Sequence, residues 1–264
     1  LGIESDRAKS VMSDIYQPLS SNGVSIQFTG LETAELIKYA SNAFLAVKIS
    51  FINELADLCE KVGANVDDVA LGMGSDSRIG SRFLQAGPGY GGSCFPKDTL
   101  ALVKTAEDVN TPVSIVEAVV EANAKRKKAM ASKVIAACDG DVNGKKIAVL
   151  GVTFKAETDD MRDSPALDII PALQEAGAII HAYDPKGMEE AKPLLPNVSW
   201  EENTYDCLNG AECSVIITEW NEFRMIDLGR FKELTANATL VDLRNLYSPD
   251  KMTKEDIKYI SIGR

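Results

Sequence analysis

The second half of the chain constrains the fold most, because apolar runs alternate there with helical patterns after a loop at residues 139–144. Near-continuous apolar strands separated by helices are typical of a parallel sheet covered on both faces. Residues 259–262 form a candidate edge strand. The predicted strands run from Lys146 to Phe154, Ala178 to Tyr183, Ser214 to Glu219 and Thr239 to Leu243, with helices near Ser164 to Ala176 and Tyr205 to Ala211.

Residues 29–140 show only helical patterns. Apolar residues recur at three- and four-residue steps from Glu32 to Val62, and Gly63 follows as a helix terminator. Asn65 is positioned to cap a short helix over 66–73, and further helices are predicted to begin near Asp98 and near Pro112, the latter ending at about Cys138. A helix of about 30 residues with an apolar stripe is long for one small domain, so we expect a homodimer formed through it.

The first 28 residues contain an amphipathic segment, Ser5 to Tyr16, and an alternating strand pattern, Val24 to Phe28. A single strand and helix cannot bury their apolar faces alone, so we expect them to complete a sheet whose other strands precede Leu1. The fold class predicted is α/β with an all-helical part. Its domains are a remnant (1–28), a helical dimerisation domain (29–140) and a Rossmann-like parallel-sheet domain (141–264).

Composition limits the partners. The 264 residues carry a formal net charge of -11, which argues against nucleic acid or an anionic membrane. No apolar run approaches the roughly 20 residues of a membrane span and no signal-peptide pattern opens the chain, so we expect a cytoplasmic protein. Five cysteines without paired short spacing and a single histidine favour neither a disulfide framework nor a metal site.

Cys94 has the most suggestive neighbours of any cysteine. It follows a glycine-rich loop and precedes Lys97 and Asp98, where a helix begins. A nearby cation and a helix N-terminus both lower the pKa of a thiol, so a reactive thiolate and a small buried turn residue are both open readings. Asp98 is expected to cap that helix and could also accept a proton, two roles that do not exclude each other. Lys97 is either solvated or in contact with an anionic cofactor.

Gly87, Gly89 and Gly92 match the spacing of a dinucleotide fingerprint, but no strand precedes them. The true strand-to-helix turn, residues 151–155, lacks the second and third glycines. We therefore expect the sheet to bind something other than a dinucleotide pyrophosphate. Three cations at its carboxyl edge are either solvated or together suit a nucleotide phosphate: Lys155, Arg162 and Arg244.

Lys38 and Asn42 lie four residues apart on the long helix and so share a face. That face is either a partly exposed polar stripe or points into a cleft toward Cys94. In the second case the two side chains would stabilise developing negative charge. The spacing leaves both possibilities open.

Taken together, the segments resemble the UDP-glucose 6-dehydrogenases of the UDP-glucose/GDP-mannose dehydrogenase family. The resemblance covers nearly the whole chain. It is carried by residues 34–43, 48–54, 77–84, 87–98, 154–155, 158–162, 183–185, 218–220 and 242–244.

This resemblance implies a four-electron oxidation of a nucleotide-linked sugar alcohol to a carboxylate by two molecules of NAD in succession. Cys94 would be the nucleophile, forming a thiohemiacetal and then a thioester that water hydrolyses. Lys38 and Asn42 would stabilise oxyanions, and Asp98 with a bound water would handle protons.

The resemblance also implies the binding residues. Arg78 would reach a neighbouring subunit's ligand, and Lys97 and Arg162 would lie on the NAD side of the cleft. No metal is implied. The UDP-sugar contacts would be Phe83, Leu84, Gln85, Ala86, Gly87, Gly89, Tyr90, Gly91, Gly92, Phe154, Lys155 and Arg244.

The chain departs from the family at its start. Members begin with a complete NAD-binding domain, whereas this chain opens at about the final strand of one. We therefore expect a fragment that binds NAD poorly and turns over nothing alone. Two alternatives stay open: a dehydrogenase of UDP-N-acetylmannosamine, UDP-N-acetylglucosamine or GDP-mannose, and a non-catalytic nucleotide-sugar-binding dimerisation module.

Overall fold

A computed structural model describes the whole chain, residues 1–264. Its N-terminal segment contains one helix, α1 (Asp6–Ser21), which Ser5 caps and which buries none of its residues. The strand predicted at Val24 to Phe28 is wrong. Residues 24–28 form no strand, and the segment makes only an isolated parallel bridge between Gly2 and Thr29.

Four helices form the middle of the chain: α2 (Leu31–Val62), α3 (Val66–Gly74), α4 (Phe95–Asp108) and α5 (Ser114–Ala137). The long helix is confirmed, and it ends at Gly63 in the left-handed conformation, φ 73°. The Asn65 cap is also confirmed, since its side chain accepts the N–H of Asp67 at 2.9 Å.

The rest of the chain is a six-stranded sheet in the order β3-β2-β1-β4-β5-β6, parallel throughout. The predicted α/β fold class is confirmed, and the order reverses between β1 and β4, where open parallel sheets bind ligands. The strands are β1 (Lys146–Leu150), β2 (Ile179–Tyr183), β3 (Val198–Trp200), β4 (Cys213–Ile216), β5 (Thr239–Asp242) and β6 (Lys258–Ile260). The helices between the strands are α6 (Ala166–Glu175), α7 (Met188–Ala191), α8 (Thr204–Leu208), α9 (Asn221–Arg224), α10 (Leu228–Leu234) and α11 (Pro249–Lys254).

The helical middle and the sheet share a hydrophobic core. A cluster of 31 buried residues joins Ile52 of α2 and Val134 of α5 to Val149 of β1. The C-terminus adds a polar link, because Gly263 accepts the N–H of Val66 and donates its own to Glu60, each at 2.8 Å. Both apolar packing and hydrogen bonds therefore join the helical middle to the sheet region. None of the helices has the length and apolar character needed to cross a lipid bilayer.

Candidate functional site

Cys94 is the exposed cysteine of this chain and stands at the N-terminus of α4. Its sulfur lies 3.6 Å from the Ser93 hydroxyl. Burial raises the pKa of Cys207 to about 12. The other four cysteines, Cys59, Cys138, Cys207 and Cys213, are all buried, as packing residues are.

A buried carboxylate lies one helical turn beyond this thiol. Asp98 is 3% exposed, and its backbone N–H donates to the carbonyl of Cys94, so the prediction of Asp98 as the helix cap is wrong. Asn42 donates its amide to Asp98 at 2.5 Å, the Lys97 ammonium lies 2.9 Å away, and the Lys38 ammonium lies at 4.0 Å. Burial opposes ionisation of Asp98, but the hydrogen bonds from Lys97 and Asn42 outweigh it and lower its pKa.

These contacts decide the question left open for α2. Lys38 and Asn42 both face Asp98, and so both lie beside the Cys94 end of α4. Asn42 is buried, whereas the Lys38 side chain remains 64% exposed and free to meet a ligand. The cluster can therefore offer an amide N–H, two ammonium groups and one carboxylate to a molecule bound at Cys94.

The glycines between α3 and α4 allow close packing onto the sheet edge. A Cβ on Gly91 would lie 2.2 Å from the carbonyl oxygen of Asp163, and one on Gly92 would lie 2.5 Å from the Phe154 ring. Gly92 also donates its N–H to the carbonyl of Arg162. Any side chain at these positions would push the loop away from the β1–α6 connection.

A cleft of about 400 Å³ lies between this loop and the carboxyl edge of the sheet. The residues predicted for the substrate that line it are Phe83, Gln85, Ala86, Gly87, Gly89, Tyr90, Gly91, Phe154, Lys155 and Arg244. Three others do not. Leu84 is 3% exposed in the core, Gly92 packs under Phe154, and Arg78 points to Asp76 with 87% of its side chain exposed.

Five further residues line the cleft that the sequence did not single out: Ile49, Asn53, Phe95, Glu219 and Arg224. Asn53 lies eleven residues after Asn42, about three turns along α2, so its position on the same face was readable from the sequence. Glu219 follows β4, so its place at the carboxyl edge was also readable. No local signal marks Arg224.

The cationic groups of the cleft are held in different ways. Arg244 donates to the carbonyls of Ile217 at 2.7 Å and Phe154 at 3.0 Å and pairs with Glu219 at 3.1 Å. Burial lowers the pKa of Arg244, and the neighbouring carboxylates oppose that effect. The Lys155 ammonium is exposed and lies 5.3 Å from the centre of the Phe154 ring. Arg244 is therefore held by three polar contacts, whereas the Lys155 ammonium makes no hydrogen bond and is exposed.

The turn after β1 is already occupied by a carboxylate of the chain itself. Asp184 is fully buried and accepts the N–H groups of Val152 at 2.8 Å, Thr153 at 3.2 Å and Gly187 at 2.8 Å, and the indole N–H of Trp220 at 3.1 Å. These turn amides are the ones that would meet a pyrophosphate in a dinucleotide-binding sheet. The turn does not fit a dinucleotide, as its missing glycines indicate.

The two cations assigned to the NAD side lie outside this turn. Lys97 pairs with Asp98, and Arg162 pairs with Asp160 at 2.8 Å with 68% of its side chain exposed. Their hydrogen bonds to Asp98 and Asp160 raise the pKa of Lys97 and of Arg162, so both remain cationic at neutral pH.

Comparison with known proteins places the chain. It matches the UDP-glucose/GDP-mannose dehydrogenase family, central domain, over residues 32–125 and the UDP binding domain of the same family over residues 148–249. It is 59% identical over 258 residues to UDP-glucose 6-dehydrogenase of Rhizobium meliloti, covering 98% of this chain and 59% of that protein. The corresponding enzyme of Rickettsia typhi is 43% identical, with 100% of this chain and 61% of that protein covered.

Solved structures of dehydrogenases superpose on nearly the whole chain. A UDP-glucose dehydrogenase from the archaeon Pyrobaculum islandicum superposes with a TM-score of 0.84 at 33% identity, over 98% of this chain and 56% of that one. A UDP-D-ManNAc dehydrogenase from Pyrococcus horikoshii gives 0.82 at 25% identity, over 100% and 59%. The chain spans 59% and 61% of the curated relatives from Rhizobium and Rickettsia typhi. With both family domains matched in order, this chain belongs to the UDP-glucose/GDP-mannose dehydrogenase family.

Proposed function

We propose that the protein takes part in the NAD-dependent oxidation of UDP-glucose to UDP-glucuronate, and that this chain supplies the nucleotide cleft and the nucleophile. One observation carries the proposal: the exposed Cys94 stands one helical turn before a buried carboxylate held by Asn42 and Lys97. A thiol beside such a cluster is suited to covalent catalysis with proton transfer.

The cleft supports a UDP-sugar as the ligand. Arg244 and Lys155 face it from the sheet edge, and such cations pair strongly with phosphate oxygens. The matched UDP binding domain and relatives named UDP-glucose 6-dehydrogenase point to the same nucleotide.

NAD, the oxidant of this family, would accept the two hydrides. Within this chain we assign to it the exposed cations Lys97 and Arg162, because the turn after β1 is filled by Asp184. These two side chains suit the phosphates of a dinucleotide bound beside Cys94. They do not form a complete dinucleotide site by themselves.

The covalent steps use this chain's own groups. The Cys94 sulfur attacks the sugar aldehyde, and the carbonyl electron pair moves to the oxygen, which Lys38 and the second amide N–H of Asn42 stabilise until it takes a proton. Once the resulting thiohemiacetal is oxidised to a thioester, water attacks the carbonyl carbon and the carbon–sulfur bond breaks. Asp98 accepts the proton of that water, and Cys94 leaves as a thiolate.

We also propose a homodimer through α2. This helix exposes Leu36, Phe44, Phe51 and Leu58, each at least 46% exposed. Beside it, α4 and α5 complete an apolar groove of about 420 Å³. A face of this kind on a long helix is typical of a subunit contact. The residues lining the groove are Ala40, Ala43, Phe44, Val47, Leu102, Pro112, Val113, Ser114, Ile115 and Val116.

A second substrate class is represented among the solved structures with this fold. The UDP-D-ManNAc dehydrogenase structure superposes almost as well as the UDP-glucose dehydrogenase, with TM-scores of 0.82 and 0.84. Oxidation of an N-acetylated UDP-sugar by the same steps is therefore the alternative, and competition between the two UDP-sugars for the cleft distinguishes them.

The test uses the aldehyde, because its capture by Cys94 needs no oxidant. The chain is mixed with the 6-aldehyde of UDP-glucose carrying ¹³C at C6, and the carbon spectrum is recorded. We expect a thiohemiacetal signal with the unaltered chain and none with Cys94→Ala, while both bind UDP. Failure of the unaltered chain to produce the signal, or its persistence in Cys94→Ala, would contradict the proposed chemistry.

A further inference from the structure

The glycine loop is held in shape by buried polar side chains of α2 and α5. It has no strand beside it, so its backbone N–H and C=O groups need other partners. Two residues of the loop, Gly87 and Tyr90, have both of these groups bonded to helix side chains. This arrangement has no part in the chemistry proposed above.

Asn123 of α5 binds Tyr90 through both ends of its amide. Its Oδ1 accepts the N–H of Tyr90 at 2.8 Å, and its Nδ2 donates to the carbonyl of Tyr90 at 3.0 Å. The pattern is the one that a hydrogen-bonded residue pair makes in an antiparallel sheet. Asn123 is 7% exposed, so these bonds do not compete with solvent.

A second pair of side-chain hydrogen bonds holds Gly87, three residues before Tyr90. Asn53 of α2 accepts the N–H of Gly87 at 2.8 Å, and the Nε of Arg126 donates to its carbonyl at 3.0 Å. Arg126 follows Asn123 by three residues, so the two side chains project from one face of α5. Arg126 is 6% exposed and also bonds the carbonyl of Asn53, which ties the two helices and the loop together.

Buried polar side chains between helices are costly unless their hydrogen bonds are made. Apolar residues would pack α2 against α5 without that cost. Here Asn53 and Asn123 direct their side-chain amides at the loop backbone, and Arg126 directs its Nε there while its Nη1 bonds α2. Gly89 lies between the two held residues, Gly87 and Tyr90, and has φ +119°. A Cβ there would lie 2.9 Å from the Asn123 oxygen. The loop shape therefore depends on these side chains.

We propose that Asn123 and Arg126 are positioning residues that set the conformation of residues 87–91 and through it the affinity of the cleft for a uridine nucleotide. The inference rests on the proposed function, because Gly87, Gly89, Tyr90 and Gly91 line the proposed UDP cleft. Neither Asn123 nor Arg126 lines that cleft.

The first measurement is the affinity for UDP, by titration calorimetry, of the unaltered chain and of Asn123→Ala. Loss of two net hydrogen bonds on the loop is expected to weaken binding by roughly tenfold or more. The control is Asn203→Ala, which removes two acceptor bonds from the N-terminus of α8, to Tyr205 and Asp206. It should lower the melting temperature and leave UDP affinity unchanged.

Asn123→Asp separates positioning from stability. Its carboxylate can accept from Tyr90 N–H but opposes the Tyr90 carbonyl, whereas the protonated acid restores both bonds. UDP affinity relative to the unaltered chain should therefore be low at pH 8 and recover only as the pH falls toward the ordinary aspartate pKa of about 3.9. The charged groups around this position are Arg126 and Lys127 on α5, Asp57 on α2, Asp163 before α6 and Asp168 on α6, and the unaltered chain measured in parallel accounts for them.

Hydrogen exchange of the unaltered chain supplies a measurement that needs no variant. The amides of Gly87 and Tyr90 should exchange slowly, although they lie in a loop. Rapid exchange there, or Asn123→Ala and Asn123→Asp binding UDP as the unaltered chain does, would overturn the inference alone. An unaltered chain that does not bind UDP would overturn the proposed function and the inference with it.

Discussion

The helical middle and the C-terminal sheet differ in how completely they bury their apolar residues. In α2 alone Leu36, Phe44, Phe51, Leu58 and Val62 are each at least 46% exposed. After residue 141 the large apolar residues that remain exposed are Ile179, Leu194 and Met225. The apolar residues of the sheet region are therefore almost all buried, whereas α2 leaves an apolar face exposed.

The two regions also contribute different chemistry. Cys94, Asn42 and Asp98 come from the helical middle. The cleft cations Arg244 and Lys155 come from the sheet region. Covalent chemistry at Cys94 and the affinity of the cleft for UDP should therefore respond to different variants.

Removing the thiol should have the largest effect. Cys94→Ala is expected to abolish capture of the UDP-glucose 6-aldehyde completely, because no other exposed thiol exists in the chain. Its affinity for UDP should not change, since the cations proposed for the phosphates, Arg244 and Lys155, come from the sheet. Carbon NMR and calorimetry on the same sample check both parts, and loss of UDP binding would mean that the two regions are not separable.

A charge on the exposed face of α2 should break the proposed dimer. Phe44→Asp places a carboxylate in the apolar groove, where an unpaired charge cannot be buried cheaply. Light scattering should show the mass falling by about half at micromolar concentration. Met225→Asp is the control, since Met225 is 80% exposed on the sheet side and its replacement should leave the mass unchanged. A dimer that survives Phe44→Asp would contradict the assignment of α2.

Removing the exposed cation Lys155 should weaken nucleotide binding without changing the reactivity of the Cys94 thiol. Lys155→Met is expected to lower UDP affinity by about tenfold to a hundredfold, the effect of one charge-assisted hydrogen bond. The alkylation rate of Cys94 without ligand should stay the same. Lys232→Met, on α10, serves as the matched loss of a surface charge. Equal UDP affinities in the two variants would mean that Lys155 does not contact the nucleotide.

The smallest effect concerns pH. Hydrogen bonds from Lys97 and Asn42 hold the pKa of Asp98 below its usual range despite burial. Its contribution to stability is therefore present above the pKa of an unfolded aspartate, about 3.9, and is lost as pH falls through the lower folded pKa. Asp98→Asn should lower the melting temperature at neutral pH, and the difference should shrink below about pH 4. A pH-independent difference would contradict the ionised Asp98.

Local patterns in the sequence predicted helices α1 to α6 and α8 and five of the six strands, but not the short elements β3, α7, α9, α10 and α11. The period of α2, its terminal glycine and the Asn65 cap each depend on neighbouring residues, and each prediction is confirmed. The first strand was predicted to reach Phe154 but ends at Leu150. It ends there because Gly151 turns with φ +85° and residues 152–153 bind the carboxylate of Asp184.

The parts of the site that depend on distant contacts were harder to predict. Asp184 receives N–H groups from segments about thirty residues before and after it, which no local pattern reports. The same holds for Asn123 and Arg126, which reach the loop from α5. Spacing placed Lys38 and Asn42 on one face but could not show that the face meets Asp98.

Labelling with iodoacetamide at near-neutral pH tests the central claim most directly, because it examines the thiol and the cleft together. Peptide mass spectrometry would give the alkylation rate of each cysteine with and without UDP-glucose. The account predicts that Cys94 reacts far faster than the four buried cysteines and that UDP-glucose slows its reaction. Equal labelling of all five, or a Cys94 rate that UDP-glucose does not change, would contradict it.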